Sequence, residues 1–323
     1  MIFLSTPKAY SSYNEPLIYV FDTESTTPRD VELKIKNKET GQTIGRKRLY
    51  GVTYGEVDIA PYLRSAARPT LPDFVAENSV VETSAQIKVA VEAEGVSSPS
   101  RTFIAAKVDL TEPYTPLMTQ QLKRTIDRDE FDIVSFFSLP DIVVRVVVEY
   151  LGSDSHQIAI TPPSGGQRAV AVSARGMGDV DAMRVTIYVD GEATTTIDYQ
   201  LRENLAGARR LAWLNRHHAP ELYTFPLRKS VLVESTRKYM ESQWGREAAA
   251  LEQRGELKLL SAYEPRAQIE AISEILHSPR VWLVKGNNMQ HLSLHTDRVL
   301  SAPCGEMGIV EVDVRAAREG EEL

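Results

Sequence analysis

His291-Leu-Ser-Leu-His295 sets two histidines four residues apart, the interval that brings two zinc ligands to one side of a helix. The segment alternates apolar and polar residues, however, which is strand periodicity. On a strand the two rings share a face about 13 Å apart, too far for one ion. The glutamate that a helical zinc-protease motif uses as base is also missing. Asp127-Arg-Asp129-Glu130-Phe-Asp132 gathers carboxylates, the ligands a hard cation prefers, but lacks the glycine and the closing glutamate of a calcium loop, so a solvated turn is expected. Ala174-Arg-Gly176-Met-Gly178-Asp179 begins like a dinucleotide loop without its third glycine or a strand–helix–strand setting, and is expected to join two strands. His217 and His218 stand side by side in a polar turn, as a solvated pair, and His156 and His277 lie next to turn signals. Nothing marks the thiol of Cys304, between Pro303 and Gly305, as activated. No Gly-Lys-Ser or Gly-Lys-Thr phosphate cradle and no Gly-x-Ser-x-Gly elbow occurs. These residues point to no catalytic group, no metal and no cofactor, and the expected protein is not an enzyme.

Charge and aromatic residues suggest contacts instead. The formal net charge of −7 argues against nucleic acid or an anionic membrane surface as the main partner. The single cysteine excludes an internal disulfide and a thiolate-rich metal site. Arg209, Arg210, Arg216, Arg228-Lys229 and Arg237-Lys238 concentrate positive charge near Trp213, Tyr223, Phe225 and Tyr239. Arginine and aromatic side chains are preferred anchors of protein interfaces, so an inter-subunit surface fits, and a domain junction covered by aromatic residues fits as well.

The elements that must position these residues are mostly strands. Val31-Glu-Leu-Lys-Ile-Lys alternates, with Val31, Leu33 and Ile35 facing a core, and the turn Asn37 to Gly41 leads to a returning strand over Gln42 to Tyr50. Asp58 to Arg64 reads as a short helical turn, and Gln86 to Glu92 and Arg101 to Leu110 as further strands. Thr111-Glu-Pro113-Tyr-Thr-Pro116 suits a linker, because each proline restricts its predecessor to extended backbone. In the next stretch Asp190-Gly191 lies between two alternating β-branched runs, a tight hairpin signal. Val143 to Tyr150 is apolar enough for a central strand, and Pro162 to Gly166 is a loop. Further on, Ile269, Ile272, Ile275 and Leu276 recur at helical spacing, with Pro265 in the first turn and Pro279 as the stop. Strands over Glu256 to Ala262, Val281 to Val284, Met289 to Leu300 and Gly308 to Arg315 surround that helix, Ala248 to Glu252 suggests another short one, and Arg318 to Leu323 is a polar tail. The expected fold is mainly β: two tandem Ig-like β-sandwiches, residues 1–112 and 113–206, then an α+β domain, residues 207–323, with one helix packed on a mainly antiparallel sheet.

Leu211-Ala-Trp213-Leu-Asn215-Arg216, followed by Tyr223-Thr-Phe225 and by Leu276-His-Ser278-Pro279-Arg-Val281-Trp282-Leu283, resembles uncharacterised tail-associated proteins of phages and prophages of gut anaerobes. The likeness covers residues 204 to 317 and extends loosely upstream. Where family members often carry a glycine- and aromatic-rich turn, this chain has His217-His218-Ala219-Pro220-Glu221. The arrangement is similar to the ring-forming domain of distal tail and baseplate hub proteins. The resemblance implies a structural component that binds copies of itself, as a ring, and other tail proteins. Arg209, Arg210, Trp213, Asn215, Arg216, Tyr223, Phe225 and Trp282 are then the candidate interface. A carbohydrate- or receptor-binding module is the alternative, since β-sandwiches carry ligand loops. The four-residue apolar start is too short for a signal peptide, and Leu139 to Tyr150 is broken by Pro140, Asp141, Arg145 and Glu149, so cytoplasmic synthesis without membrane insertion is expected, with the phage particle as destination.

Overall fold

Alternation in the sequence becomes burial in the structure. In the computed structural model, which describes residues 1–109, 111–152, 155–243, 245–297 and 307–317, Val31, Leu33 and Ile35 point inward from the strand Arg29–Asn37 and Val89 and Val91 from Gln86–Ala93. With Tyr10–Ser12, Arg101–Ile104 and Thr43–Val52, and Val96–Ser97 as a side branch, they form a six-stranded sheet. A three-stranded sheet of Ile2–Ser5, Ile18–Asp22 and Tyr54–Asp58 faces it, and Tyr19, Phe21 and Val57 close the shared core with Leu63 of the short helix Ala60–Ala66.

A second pair of sheets encloses a second core. One sheet orders Tyr114–Pro116, Phe131–Ser138, Gly166–Ser173 and Ser79–Val81; the other orders Lys123–Asp127, Glu192–Arg202, Val180–Val189, Val144–Gly152 and His156–Ile160. Asp190 and Gly191 turn the expected hairpin with φ of 50° and 92°. Within the proline-rich segment expected as a linker, Tyr114–Pro116 is an edge strand, paired with Phe136 to Ser138. Proline is tolerated there because an edge strand needs hydrogen bonds on one side only.

The third unit is a seven-stranded antiparallel sheet ordered Pro220–Phe225, Arg209–Leu214, Val281–Lys285, Asn288–Leu294, Glu311–Ala316, Gly245–Leu260 and Leu227–Ser242. The helix Arg266–Ser273, capped by Pro265 and continued by the 3-10 turn Glu274–His277, buries Ile269, Ile272 and Ile275 on Leu211, Trp213, Leu257 and Val312. The helix expected over Ala248 to Glu252 is strand: Arg237 pairs with Leu251 and Lys238 with Ala250. Sixteen-residue strand pairing outweighs the helical preference of three alanines. Cys304, the strand end at Leu300 and the tail Arg318 to Leu323 lie outside the described residues. Taken together the chain is mainly β, and among the described residues no helix is long and apolar enough to cross a membrane.

The units are tied by a strap that sequence order places in the first of them. Ser79–Val81 completes the four-stranded sheet of the second unit, opposite Ala169 to Ala171. Just before it, the Val75 amide donates to the Asn287 carbonyl (2.9 Å), and the Met289 amide to the Asp73 carbonyl (2.8 Å). Leu71, Val75 and Val81 thereby share one buried cluster with Phe131, Ile133, Trp282 and Met289.

Candidate functional site: the junction and the arm

Phe131–Ser138 is buried along its whole length because both of its faces are covered: Val134 and Phe136 face the core of the second unit, while Phe131 and Ile133 face the seven-stranded sheet. One residue in it is charged. Asp132, 1% exposed, accepts from Arg124 Nη1 at 2.7 Å, Arg210 Nη2 at 3.1 Å and the Tyr199 hydroxyl at 2.9 Å. A carboxylate out of water is tolerable only when paired and fully hydrogen-bonded, and these donors supply both conditions. Burial alone pulls the Arg124 pKa down, but Asp132 and its neighbours outweigh it and hold the guanidinium above its ordinary value. Burial, then Asp132, raises the Tyr199 hydroxyl. Arg210 reaches from the third unit to both Asp132 and Glu130, whose Oε2 also accepts from Thr224 at 2.6 Å. Asp127 is paired with Arg202, and Asp129 with Asn204.

A second carboxyl lies at the other end of this contact. Glu221 Oε1 accepts from the Thr119 amide (2.5 Å) and Asn215 Nδ2 (3.1 Å), while Oε2 is buried without a partner. Burial raises its pKa, and Arg124 with these hydrogen bonds offsets only part of that. Gln120 Nε2 donates to the Leu222 carbonyl (2.9 Å), and the Gln121 amide to Gln268 Oε1 (3.1 Å), so the chain entering the second unit is stitched to the edge strand and helix of the third.

The expected solvated turn at Asp127 to Asp132 is therefore corrected: Asp127 is buried and paired with Arg202, and Asp132 is buried and paired with Arg124 and Arg210. His217 and His218 are half-buried rather than solvated, and burial lowers both pKa values, helped by Arg216 for the first and by His217 for the second. His291 is on a strand, as its alternation implied. Among the described residues no three His, Cys, Asp or Glu side chains converge as metal ligands.

Of the candidate interface residues, Arg210, Trp213, Asn215, Phe225 and Trp282 are buried inside this chain and cannot anchor another copy. The physical reason is that the sheet has both faces covered here, Trp213 and Phe225 under the helix and Trp282 against the second unit. Asn215 organises its turn, with Oδ1 accepting from the amides of His217 and Ala219 and Nδ2 donating to the Leu117 carbonyl. Tyr223, half-buried, packs edge-on to Phe225 and donates to Glu264 (2.8 Å). Arg209 is half-buried with Nη1 on the Ala208 carbonyl, and Arg216 is exposed and pairs with Glu274 at 3.5 Å. Arg124 and Tyr199 were missed from the sequence, while Asp132 and Glu221 were noted there only as parts of turns. The one available signal was Asp132 itself, a charge inside the apolar run Phe-Asp-Ile-Val-Ser-Phe-Phe.

At the opposite edge of the sheet the strands Leu227–Ser242 and Gly245–Leu260 continue well past their neighbours. Glu311–Ala316 pairs with Glu256 to Leu260, and among the described residues Gly245 to Gly255 is bonded to one strand, Leu227–Ser242. Eleven residues at about 3.3 Å each make an arm roughly 35 Å long. Near its tip Tyr239 and Met240 are 49% and 54% exposed, and as neighbours on a strand they present apolar surface on opposite faces. Compared with known proteins, the chain matches no family model and no curated sequence.

Proposed function

We propose that this protein is a non-enzymatic structural component of a phage or prophage tail or baseplate, which joins copies of itself, as a closed ring, and neighbouring tail proteins through its C-terminal unit. The observation that carries the reading is the arm. A two-stranded ribbon is marginal in water, and its open edges are templates for pairing, so an arm of this length gains stability when another chain covers it. Head-to-tail contacts of this type close into rings when the rotation permits. The buried junction supports the same reading, since its charged groups are spent on holding the second unit rigidly against the third, which gives the arm a fixed direction. The first two units are read as Ig-like sandwiches that space the assembly domain from its surroundings. A glycan-binding role would use the open hollow of about 500 Å3 beside Val143, Arg145, Gln157 and Tyr188, and specific retention on a glycan array is its test.

Native mass spectrometry of the full chain tests the assembly. The intact protein is expected as a discrete oligomer. A variant in which Asn-Gly joins Val233 to Gly255, opposite each other in register, keeps the sheet and is expected as a monomer. An intact chain that stays monomeric at high concentration refutes the proposal.

A further inference from the structure

The first unit carries two oppositely charged outer faces, and we infer that they stack head to tail between neighbouring copies of this chain. On the three-stranded sheet Tyr19 and Phe21 point inward, so their neighbours point out. Ile2, Asp22 and Tyr54 form one row across the strands, Val20 and Glu56 the next, Ile18 and Asp58 the third. Ile2, Leu4, Ile18 and Tyr54 are 44%, 52%, 39% and 55% exposed, large apolar side chains interspersed on one face with the acids Asp22, Glu56 and Asp58. Four large apolar side chains gathered on one sheet face, with acids among them, suit a contact with a surface of opposite charge.

The opposite outer face of the same unit is basic. Lys34, Lys36, Lys88, Arg46 and Arg48 project from three adjacent strands, against the acids Glu32 and Glu92. Glu92 is engaged by Lys36 and Lys38, and no ion pair within the described residues holds Arg46, Arg48 or Lys88. Arg46 stands directly across from Lys34, a like-charge pair that costs stability and is offset only in part by Glu32, 3.9 Å from the Lys34 amine. An acidic surface laid over it removes that cost. The basic edge strand Thr43–Val52 also opposes pairing with its own counterpart, so the contact joins unlike faces and repeats from copy to copy. The contact acts beside the arm in the proposed assembly and does not require it. It rests on the proposed function in that copies of this chain assemble with one another.

Sedimentation velocity of the full chain at low and high salt tests it, with Glu56→Lys on one face, Arg46→Glu/Arg48→Glu on the other, and the arm-shortened variant in parallel. All three changed side chains are exposed, and circular dichroism checks the fold. Each face variant alone is expected to weaken self-association about tenfold at low salt, and their mixture to recover it, because the two reversed faces complement each other. Loss with the face variants but not with the shortened arm supports the stacking and refutes the arm. Loss with the shortened arm alone, failure of the mixture to recover, or adsorption of the apolar face to neutral lipid vesicles without self-association overturns the stacking.

Discussion

Replacing Asp132 by asparagine removes the charge on which two buried guanidinium groups depend while keeping the side chain's size. The side chains of Arg124 and Arg210 are 4% and 2% exposed. Arg210 keeps Glu130 at 3.3 Å, but Arg124 has Asp132 as its sole ion-pair partner among the described residues. The change therefore strands one buried cation, at a cost of about 3–5 kcal/mol. The retained amide oxygen still accepts a hydrogen bond and returns about 1 kcal/mol, leaving a net loss of about 2–4 kcal/mol. Urea denaturation followed by tryptophan fluorescence reports it, since Trp282 lies in the cluster between the units and Trp213 in the core of the third. Fluorescence and circular dichroism midpoints are expected to separate as the junction fails before the sheets do. Adding Arg124→Met should recover at least ~2 kcal/mol, because the stranded cation is then gone. An Asp132→Asn protein within about 0.5 kcal/mol of the parent, the range of an ordinary surface change, refutes the account of the junction.

Three further outcomes follow from local structure. The His218 pKa lies below its ordinary 6.5 in the folded chain, so the unfolded chain binds the proton more readily and stability falls as pH drops through 6.5. His218→Asn suits the φ of 52° at this position and removes that term; the gap in melting temperature between parent and variant should then change between pH 7.5 and about 5.5, and a constant gap contradicts the assignment. Glycine is required for different reasons at two sites. A Cβ on Gly55 would sit 2.4 Å from Phe21 Cζ inside the first core, so Gly55→Ala should cost about 1–3 kcal/mol by overpacking. Gly191 has open space but a φ of 92°, so Gly191→Ala should cost about 1–3 kcal/mol through backbone strain alone; equal melting temperatures for parent and variants would contradict both readings.

The sequence by itself determined most of the local elements, the strand at Ala248 to Glu252 being an exception. Alternation at Val31 to Ile35, the Asp190-Gly191 turn and the three-residue spacing of Ile269, Ile272 and Ile275 each follow from a period or a backbone preference written in neighbouring residues, and each reappears in the structure. Only the tertiary structure decided what those elements touch. Asp132 and Arg210 are 78 positions apart, and Ser79–Val81 finds its partner strand 90 residues later, so no local pattern specifies either contact. The same reason explains the candidate residues. Trp213 and Arg210 have the side chains of an interface, but whether such a side chain meets another copy or the next unit of its own chain depends on which sheet faces are already covered. Packing settled that question, burying Trp213 beneath a helix and locking Arg210 onto a carboxylate of the preceding unit.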